Sequence, residues 1–443
     1  MIKETQLDPK VEWYLQAFEK FEKSLNGDKE IPFHAVRKKA IEKFQQLGFP
    51  TTRIEEWKYT NIKPILDQQF GTIDKLEKID KELVDNYRIK GIEENLIVFV
   101  NGQYIDEFSH ITLSSKNLVI KSLSRAFREN PDLIKKYLTH YASYTEEPFV
   151  ALNTAFTREG TFIFVPDDTV LDAPIHVINI SDPGQTTFQS HPRNLMIIGK
   201  NSQVSLVESL NHLSDNVYFQ NSVTEVLVGE NAIVDHIKIQ DESKLSFRIA
   251  TTQVQQEQSS VYHTFSIDLG GALVRNNLNI GLNGENAEAN LFGFYFINGK
   301  QHLDNHTNID HLVPNCNSNE LYKGILDDKS RAVFSGTIFV EKDAQKTNAF
   351  QSNKNLLLSN EAEIDSKPQL KIFADDVKCS HGATIGQIDD EALFYLRQRG
   401  VSLEDAHILL RQAFASDVFE KIRIPAAKEY INQLISERLK SEI

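Results

Sequence analysis

From Thr161 to Phe373, β-branched and aromatic residues alternate with polar ones. That is the two-residue period of strands, whose successive side chains point to opposite faces. No helix of ordinary length is predicted inside the span. Turn-like clusters followed by an apolar residue recur through it: Asp167-Asp168-Thr169-Val170, Asn201-Ser202-Gln203-Val204, Asn231-Ala232-Ile233-Val234, Gln258-Ser259-Ser260-Val261 and Asn286-Ala287-Glu288-Ala289. Weaker echoes follow at Lys329-Ser330-Arg331-Ala332 and Asn360-Glu361-Ala362-Glu363-Ile364. The first five clusters end at 170, 204, 234, 261 and 289, in steps of 34, 30, 27 and 28. A repeat of that length with strands inside it predicts a parallel β-helix, each coil burying apolar surface against its neighbours. A β-sandwich, with its many short strands and turns, is the alternative. Each open end of a coil stack needs a cap, and the flanking helical segments are expected to supply it.

Helical spacing brackets the strands. Trp13, Phe18, Phe21 and Leu25 follow Pro9 and stop before Gly27, and a second helix is predicted from Pro32 to Gly48. Pro50 to Thr60 reads as a turn-rich connector carrying Trp57 and Tyr59. A short helix is predicted over Asp80 to Arg88, a strand over Leu96 to Tyr104, and helical spacing again over Ser122 to Tyr141. Beyond the repeat, Asp389 to Gln398 should form a helix ending at Gly400. Ser402-Leu403-Glu404-Asp405 resembles a capping box ahead of an apolar stripe of Ala406, Leu409, Leu410, Ala413 and Phe414. Pro425 starts a last helix with Ala427, Tyr430, Ile431, Leu434 and Ile435 on one face. These stripes either pack on one another or present a face to a partner. The expected organisation is a mixed helical region over 1–157, a β-helix core over 158–375 and a C-terminal helical region over 376–443, removable from residue 389 without unfolding the core.

Composition narrows the function. Of the 443 residues, 40% are hydrophobic and 25% charged, which suits a soluble globular protein with a sizeable core. A formal charge of −14 argues against nucleic acid, whose binders rely on basic groups meeting phosphates. The polar start Met1-Ile2-Lys3-Glu4-Thr5 is followed by no apolar leader, and no apolar run reaches the length of a membrane span. Two cysteines offer no disulfide framework and fit a reducing cytoplasm.

The candidate chemistry is sparse. Cys379 and His381 in Lys378-Cys379-Ser380-His381-Gly382 sit two apart, so an extended backbone projects both to one side. A thiolate beside an imidazole suits iron, zinc or copper, yet two ligands do not close a site, and the rest would come from elsewhere, plausibly from another subunit. A buried cysteine beside a hydrogen-bonded histidine is the other reading of that spacing. His302, Asp304 and His306 share a strand face with His311 close behind, and form either a metal site or a polar ladder. Cys316 reads as a small buried thiol. Asp327-Asp328 and Asp375-Asp376 bring to mind the acid pairs of sugar-cleaving β-helix enzymes, but neighbours in a strand point to opposite faces. Neither a G-x-x-x-x-G-K-[ST] phosphate loop nor a G-x-S-x-G elbow is present.

Taken together, several segments resemble the SufB/SufD family of the Suf iron–sulfur cluster assembly machinery. The densest match is Ala374-Asp375-Asp376-Val377-Lys378-Cys379-Ser380-His381-Gly382-Ala383-Thr384 with Leu393-Phe394-Tyr395-Leu396-Arg397-Gln398-Arg399-Gly400. Glu56-Trp57-Lys58-Tyr59-Thr60, Leu152-Asn153-Thr154-Ala155-Phe156, Asp310-His311 with Pro314-Asn315-Cys316, Tyr322-Lys323-Gly324 and Ala344-Gln345-Lys346-Thr347 extend it over most of the chain. The SufB branch reads Val-Glu-His-Glu-Ala where this chain has Cys379-Ser380-His381-Gly382-Ala383, so the SufD branch is the better match. The resemblance implies a right-handed parallel β-helix between helical regions and a non-catalytic scaffold that pairs with SufB through its β-helix. It also implies a SufC ATPase held by the C-terminal helices. His381 and Cys379 would then serve a transient iron–sulfur cluster, or iron, shared with SufB, and the chain itself would bind no nucleotide. Self-pairing of the isolated chain stays open. The competing reading is a cytosolic β-helix enzyme acting on carbohydrate, which needs two facing acids in one groove.

Overall fold

In the computed structural model, residues 8–71, 79–182, 184 and 187–441 are described, and the start Met1–Thr5 lies outside them. The strand repeat folds as a parallel coil stack. Successive strands alternate between two sheets, and each pairs in parallel with the strand one coil away, which excludes the sandwich. The first sheet runs from Asn95–Val100 through Ile175–Ser181 and Gln203–His212 to Lys378–Gly386. The second runs from Val119–Ser122 through Thr161–Val165 and Arg193–Ile198 to Glu363–Ile372. Paired strands thus reach beyond 158–375 at both ends, and helix resumes only at Asp390.

One row of turns sets the coil length. Asp168, Asn201, Asn231, Ser259, Asn286, Asn315 and Lys346 all have φ between 52° and 65°. Asp and Asn tolerate this left-handed conformation better than other non-glycine residues, which is why they recur there. The turns stack through their backbones: Asp168 N–H donates to Lys200 O, Asn201 to Glu230 O, Asn231 to Gln258 O and Ser259 to Glu285 O, at 2.7–2.9 Å. Asn231 Nδ2 donates to Asn201 Oδ1 at 3.0 Å, and Asn201 Nδ2 to Asp168 Oδ1 at 2.8 Å. The next residue in each turn is small and buried, among them Ser202, Ala232, Ser260, Ala287, Cys316 and Thr347. The echoes at Lys329–Ala332 and Asn360–Ile364 belong to the other row of turns, between strands of the first sheet and the following strands of the second.

Valine, isoleucine, leucine and aromatic side chains from both sheets fill the interior. Close approach replaces bulk at two glycines. A Cβ on Gly293 would lie 2.2 Å from the Tyr322 ring, and one on Gly324 would lie 2.0 Å from the Tyr295 ring. Large and small residues therefore interdigitate between coils, the arrangement that fills a core without voids.

The flanking segments follow the expected outline with local differences. Helices form over Pro9–Ser24 and His34–Leu47, the second closed by Gly48 at φ 67°. The stretch from Leu96 to Tyr104 is not one strand. Asn101 (φ 49°) and Gly102 (φ 74°) fold it into an antiparallel hairpin, the turn an Asn-Gly pair prefers. The helical stretch Ser122 to Tyr141 breaks into Leu123–Glu129 and Pro131–Tyr137, because proline disfavours a helical residue before it. The helix Pro148–Phe156 carries no amphipathic signal, since every residue from Phe149 on is buried. Asn153 anchors it, its Nδ2 donating to Pro192 O and Asn221 O at 2.8 Å each. Close by, the buried Arg193–Glu225 ion pair lies beneath a loop whose Thr139, Tyr141 and Ala142 N–H groups donate to the Glu225 carboxylate.

The ends of the stack differ. At the N-terminal end, the Asn95–Tyr104 hairpin, His110–Ile111 and Val119–Ser122 add antiparallel strands to the two sheets. The C-terminal helices do not cap the other end, contrary to expectation. Leu403–Phe419 and Pro425–Ser441 fold back along the outer face of the first sheet. There Ala415, Val418, Phe419, Ile431, Ile435 and Leu439 cover Ile237, Phe265, Phe292, Phe294 and Ile325. Removal from residue 389 would expose that apolar face, so these helices are integral to the core.

Candidate functional site

The uncapped end is the last coil. Among the described residues its first-sheet strand, Lys378–Gly386, pairs on one side only, with Asn348–Leu357, and all of its residues but Cys379 are exposed. Its second-sheet strand, Glu363–Ile372, is likewise the last of its sheet and about half-buried. Free edges of this kind present unpaired N–H and C=O groups. Phe373 and Ile385 are 62% and 53% exposed beside them.

Cys379 and His381 both lie on this edge strand. In the parallel ladder Cys379 pairs with Ala349 and His381 with Gln351. Cys379 is half-buried against Ile338, Val340, Ala344, Ala349 and Ala374, and burial pushes its thiol up, so in the isolated chain it is held as a thiol. His381 is exposed at the mouth of the stack. Among the described residues no group of three or more His, Cys, Asp or Glu side chains is arranged to hold a metal ion. The two candidate ligands therefore stand at an open end, short of a full set within this chain.

Beneath His381 lies a column that single residues in the sequence do not advertise. The ladder stacks Leu291, Glu320, Gln351 and His381 in successive coils. Gln351 Nε2 donates to Glu320 Oε2 at 2.6 Å. Burial pushes the Glu320 carboxyl up to about 7, opposed by that hydrogen bond from Gln351. Counting residues from the equivalent turn position would have aligned the column: Glu320, Gln351 and His381 follow Asn315, Lys346 and Asp376 at one common offset.

The other candidates resolve into structure. Thr60 Oγ1 lies 2.8 Å from His302 Nε2 and also donates to Asp304 Oδ2 at 2.5 Å, and Arg275 donates to the same carboxylate oxygen at 2.7 Å. Burial alone would raise the Asp304 carboxyl, but Arg275, with His306 3.0 Å away, holds it well below the usual carboxylate range. The Arg275 guanidinium also lies 3.9 Å over the Trp57 ring. These residues form a polar ladder that clamps the Pro50–Thr60 connector onto the second sheet. His311 Nε2 meets Ser318 Oγ at 2.9 Å inside the stack. Cys316 is fully buried, its Sγ 3.4 Å from Gly284 O. The acid pairs serve turns: Asp328 Oδ2 accepts from Gly299 N at 3.0 Å, and Asp376 N donates to Gln345 Oε1 at 2.9 Å.

Most of the resembling segments thus maintain coils, turns and docked helices. Lys323 is a clear case, its Nζ donating to Phe414 O at 2.8 Å and to Asp417 where the last helices dock. Whole-chain comparison agrees with the segments. A model of the SufBD core domain of the SUF iron–sulfur cluster assembly system matches residues 179–414, and one of the SufBD N-terminal region matches residues 9–177. The chain belongs to the SufB/SufD family. It is 34% identical to an iron–sulfur cluster assembly SufBD family protein of Synechocystis over 90% of each chain. It is 33% identical to the iron–sulfur cluster assembly protein SufD of Escherichia coli over 90% of this chain and 91% of that one. The SufD of Bacillus subtilis is 27% identical over 91% and 93%. These relatives agree with the SufD branch read from Cys379 to Ala383, and family membership brings a role in iron–sulfur cluster assembly. Among the described residues no helix is long and apolar enough to cross a membrane.

A second feature stands on the C-terminal helices. Phe394 and Tyr395 on Asp390–Gln398, with Leu403 and Leu409 on the next helix, are 63%, 55%, 52% and 46% exposed. The expected stripe on Leu403–Phe419 is therefore shared. Ala406 is buried and Phe414 half-buried, whereas Leu409 and Ala413 face outward. Ile408, Arg411, Ala415, Val418 and Phe419 are also buried, the last three against the first sheet.

Proposed function

We propose that this chain is a non-catalytic scaffold subunit of the Suf assembly complex, pairing through its open coil end with the sister subunit SufB. At that junction Cys379 and His381 contribute to a nascent iron–sulfur cluster, or to the iron that enters it, as cargo shared with SufB rather than as a resident cofactor. The observation that carries this reading is the uncapped last coil, whose free edge strand bears both ligand-type side chains. A partner strand added to that edge would bury them and supply missing ligands, tying cluster formation to assembly. The exposed apolar residues Phe394, Tyr395, Leu403 and Leu409 fit a docking face for the ATPase SufC, which would place nucleotide on that partner. The same free edge would let the isolated chain pair with itself. Two free cysteines, Cys316 and Cys379, fit the cytoplasm. Among the described residues the acid pairs Asp327–Asp328 and Asp375–Asp376, from which the carbohydrate-enzyme reading started, serve turns.

The test is His381→Ala in co-purified complexes of unchanged stoichiometry. Iron and sulfide per complex should fall severalfold while subunit ratios stay fixed. Wild-type cluster yield from such complexes would remove His381 from the ligand set and move the role to Cys379.

A further inference from the structure

The amide of Gln351 is held on one side only. Its nitrogen donates to Glu320 in the coil below. Its Oε1 is buried with no hydrogen-bond partner among the described residues, as is Glu320 Oε1, and the two residues are only 3% and 1% exposed. Unsatisfied acceptors at such depth are uncommon and call for an explanation. The nitrogen and oxygen of a planar amide point to opposite sides, so turning Nε2 towards Glu320 turns Oε1 away from that coil. The coil on the other side carries His381, the ladder partner of Gln351, with its side chain projecting to the same side of the sheet. Room for this arrangement comes from the facing strand, where a Cβ on Gly336 would lie 2.1 Å from Gln351 Nε2.

We propose that Gln351 is a positioning residue for His381: its Oε1 accepts a hydrogen bond from one ring nitrogen and leaves the other nitrogen's lone pair directed out of the open end. Glu320 fixes which way the amide faces, because its Oε2 accepts from the Gln351 NH2. Metal-binding histidines generally donate their second N–H to such an acceptor, and losing it typically costs 10–100-fold in affinity or activity. The proposal rests on His381 being a ligand, but its first readout does not.

The experiment compares three variants of the full chain with selectively 15N-labelled histidine, His381 being assigned by the signal lost in His381→Ala. In the parent, the 15N shifts should report one dominant neutral tautomer. Gln351→Met removes the acceptor at similar volume, and Gln351→Asn withdraws it while keeping a polar group. Both should shift His381 towards the tautomer mixture of a free imidazole. The swap Glu320→Gln with Gln351→Glu rebuilds the pair with donor and acceptor exchanged and should restore the single tautomer. In complexes with SufB and SufC, cluster yield should fall about tenfold in the first two variants and recover in the swap. An unchanged tautomer in Gln351→Met and Gln351→Asn overturns the proposal, as does a changed tautomer with full cluster yield in those variants. If His381→Ala complexes kept full yield while Gln351 variants still shifted the tautomer, the ligand reading would fail and the Gln351–His381 contact would stand.

Discussion

Glu320 gives the fold a pH dependence that can be calculated and then removed. Its carboxyl is 1% exposed, and burial raises it from 4.5 to about 7. A raised carboxyl means that the folded chain keeps the proton to higher pH than the unfolded chain does. The associated stability is complete below about pH 4.5, declines as pH rises, and is gone above about 7. At ~1.36 kcal/mol per unit, the total is about 3 kcal/mol, most of which falls between roughly pH 5 and 8. Glu320→Gln removes the ionisation but keeps a carbonyl oxygen to accept from Gln351. With glutamine standing in for the protonated carboxyl, the variant's advantage over the parent should grow by about 2–3 kcal/mol from pH 5 to pH 8. A coil stack need not unfold in one step, so the readout should be local. Amide hydrogen exchange in Asn317–Leu326 and Asn348–Leu357 serves, because comparing variant and parent at each pH cancels the intrinsic pH dependence of exchange. A difference that stays flat from pH 5 to 8 would refute the reasoning and show that water or a neighbouring group solvates the ionised carboxylate.

Anaerobic reconstitution of the isolated chain should yield little stoichiometric iron and sulfide, since Cys379 and His381 stand short of a full ligand set; a stable four-iron cluster on the lone subunit would contradict this. The double variant Phe394→Asp, Leu409→Asp should lose capture of SufC in pull-down while its circular dichroism matches the parent. Undiminished capture would place the docking face elsewhere. Deleting residues 389–443 should instead give aggregated protein, because it bares Ile237, Phe265, Phe292 and Phe294; a soluble, folded core after that deletion would contradict the packing.

The shared strand face of Cys379 and His381 in the candidate site was legible in the sequence because its determinants are local. The Cys379–His381 spacing sets a shared face in any extended strand. The Asn and Asp turn residues announce the coil because their left-handed conformation is a property of those side chains with their own backbone. Phase was lost after Asn286. The next turn uses Asn315, which is followed three residues on by Ser318 instead of an apolar residue, and the following one uses Lys346, which has no such preference. The echoes at Lys329 and Asn360 belong to the opposite row of turns, so the pattern along the chain does not align the column of Glu320, Gln351 and His381.

The sequence by itself determined the alternating strands, the coil length, the helix starts at Pro9, Ser402 and Pro425, and the family. Each is written in neighbouring residues or in motifs read along the chain. Only the tertiary structure decided which face of the Leu403–Phe419 helix is buried and which end of the stack stays open. It also decided that His302, Asp304 and His306 clamp the connector instead of gathering a metal. These depend on partners far away in the chain, such as Thr60 for Asp304 and Ile325 for the last helices. Helical periodicity shows that an apolar stripe exists, but what it meets is settled by the burial of both surfaces together.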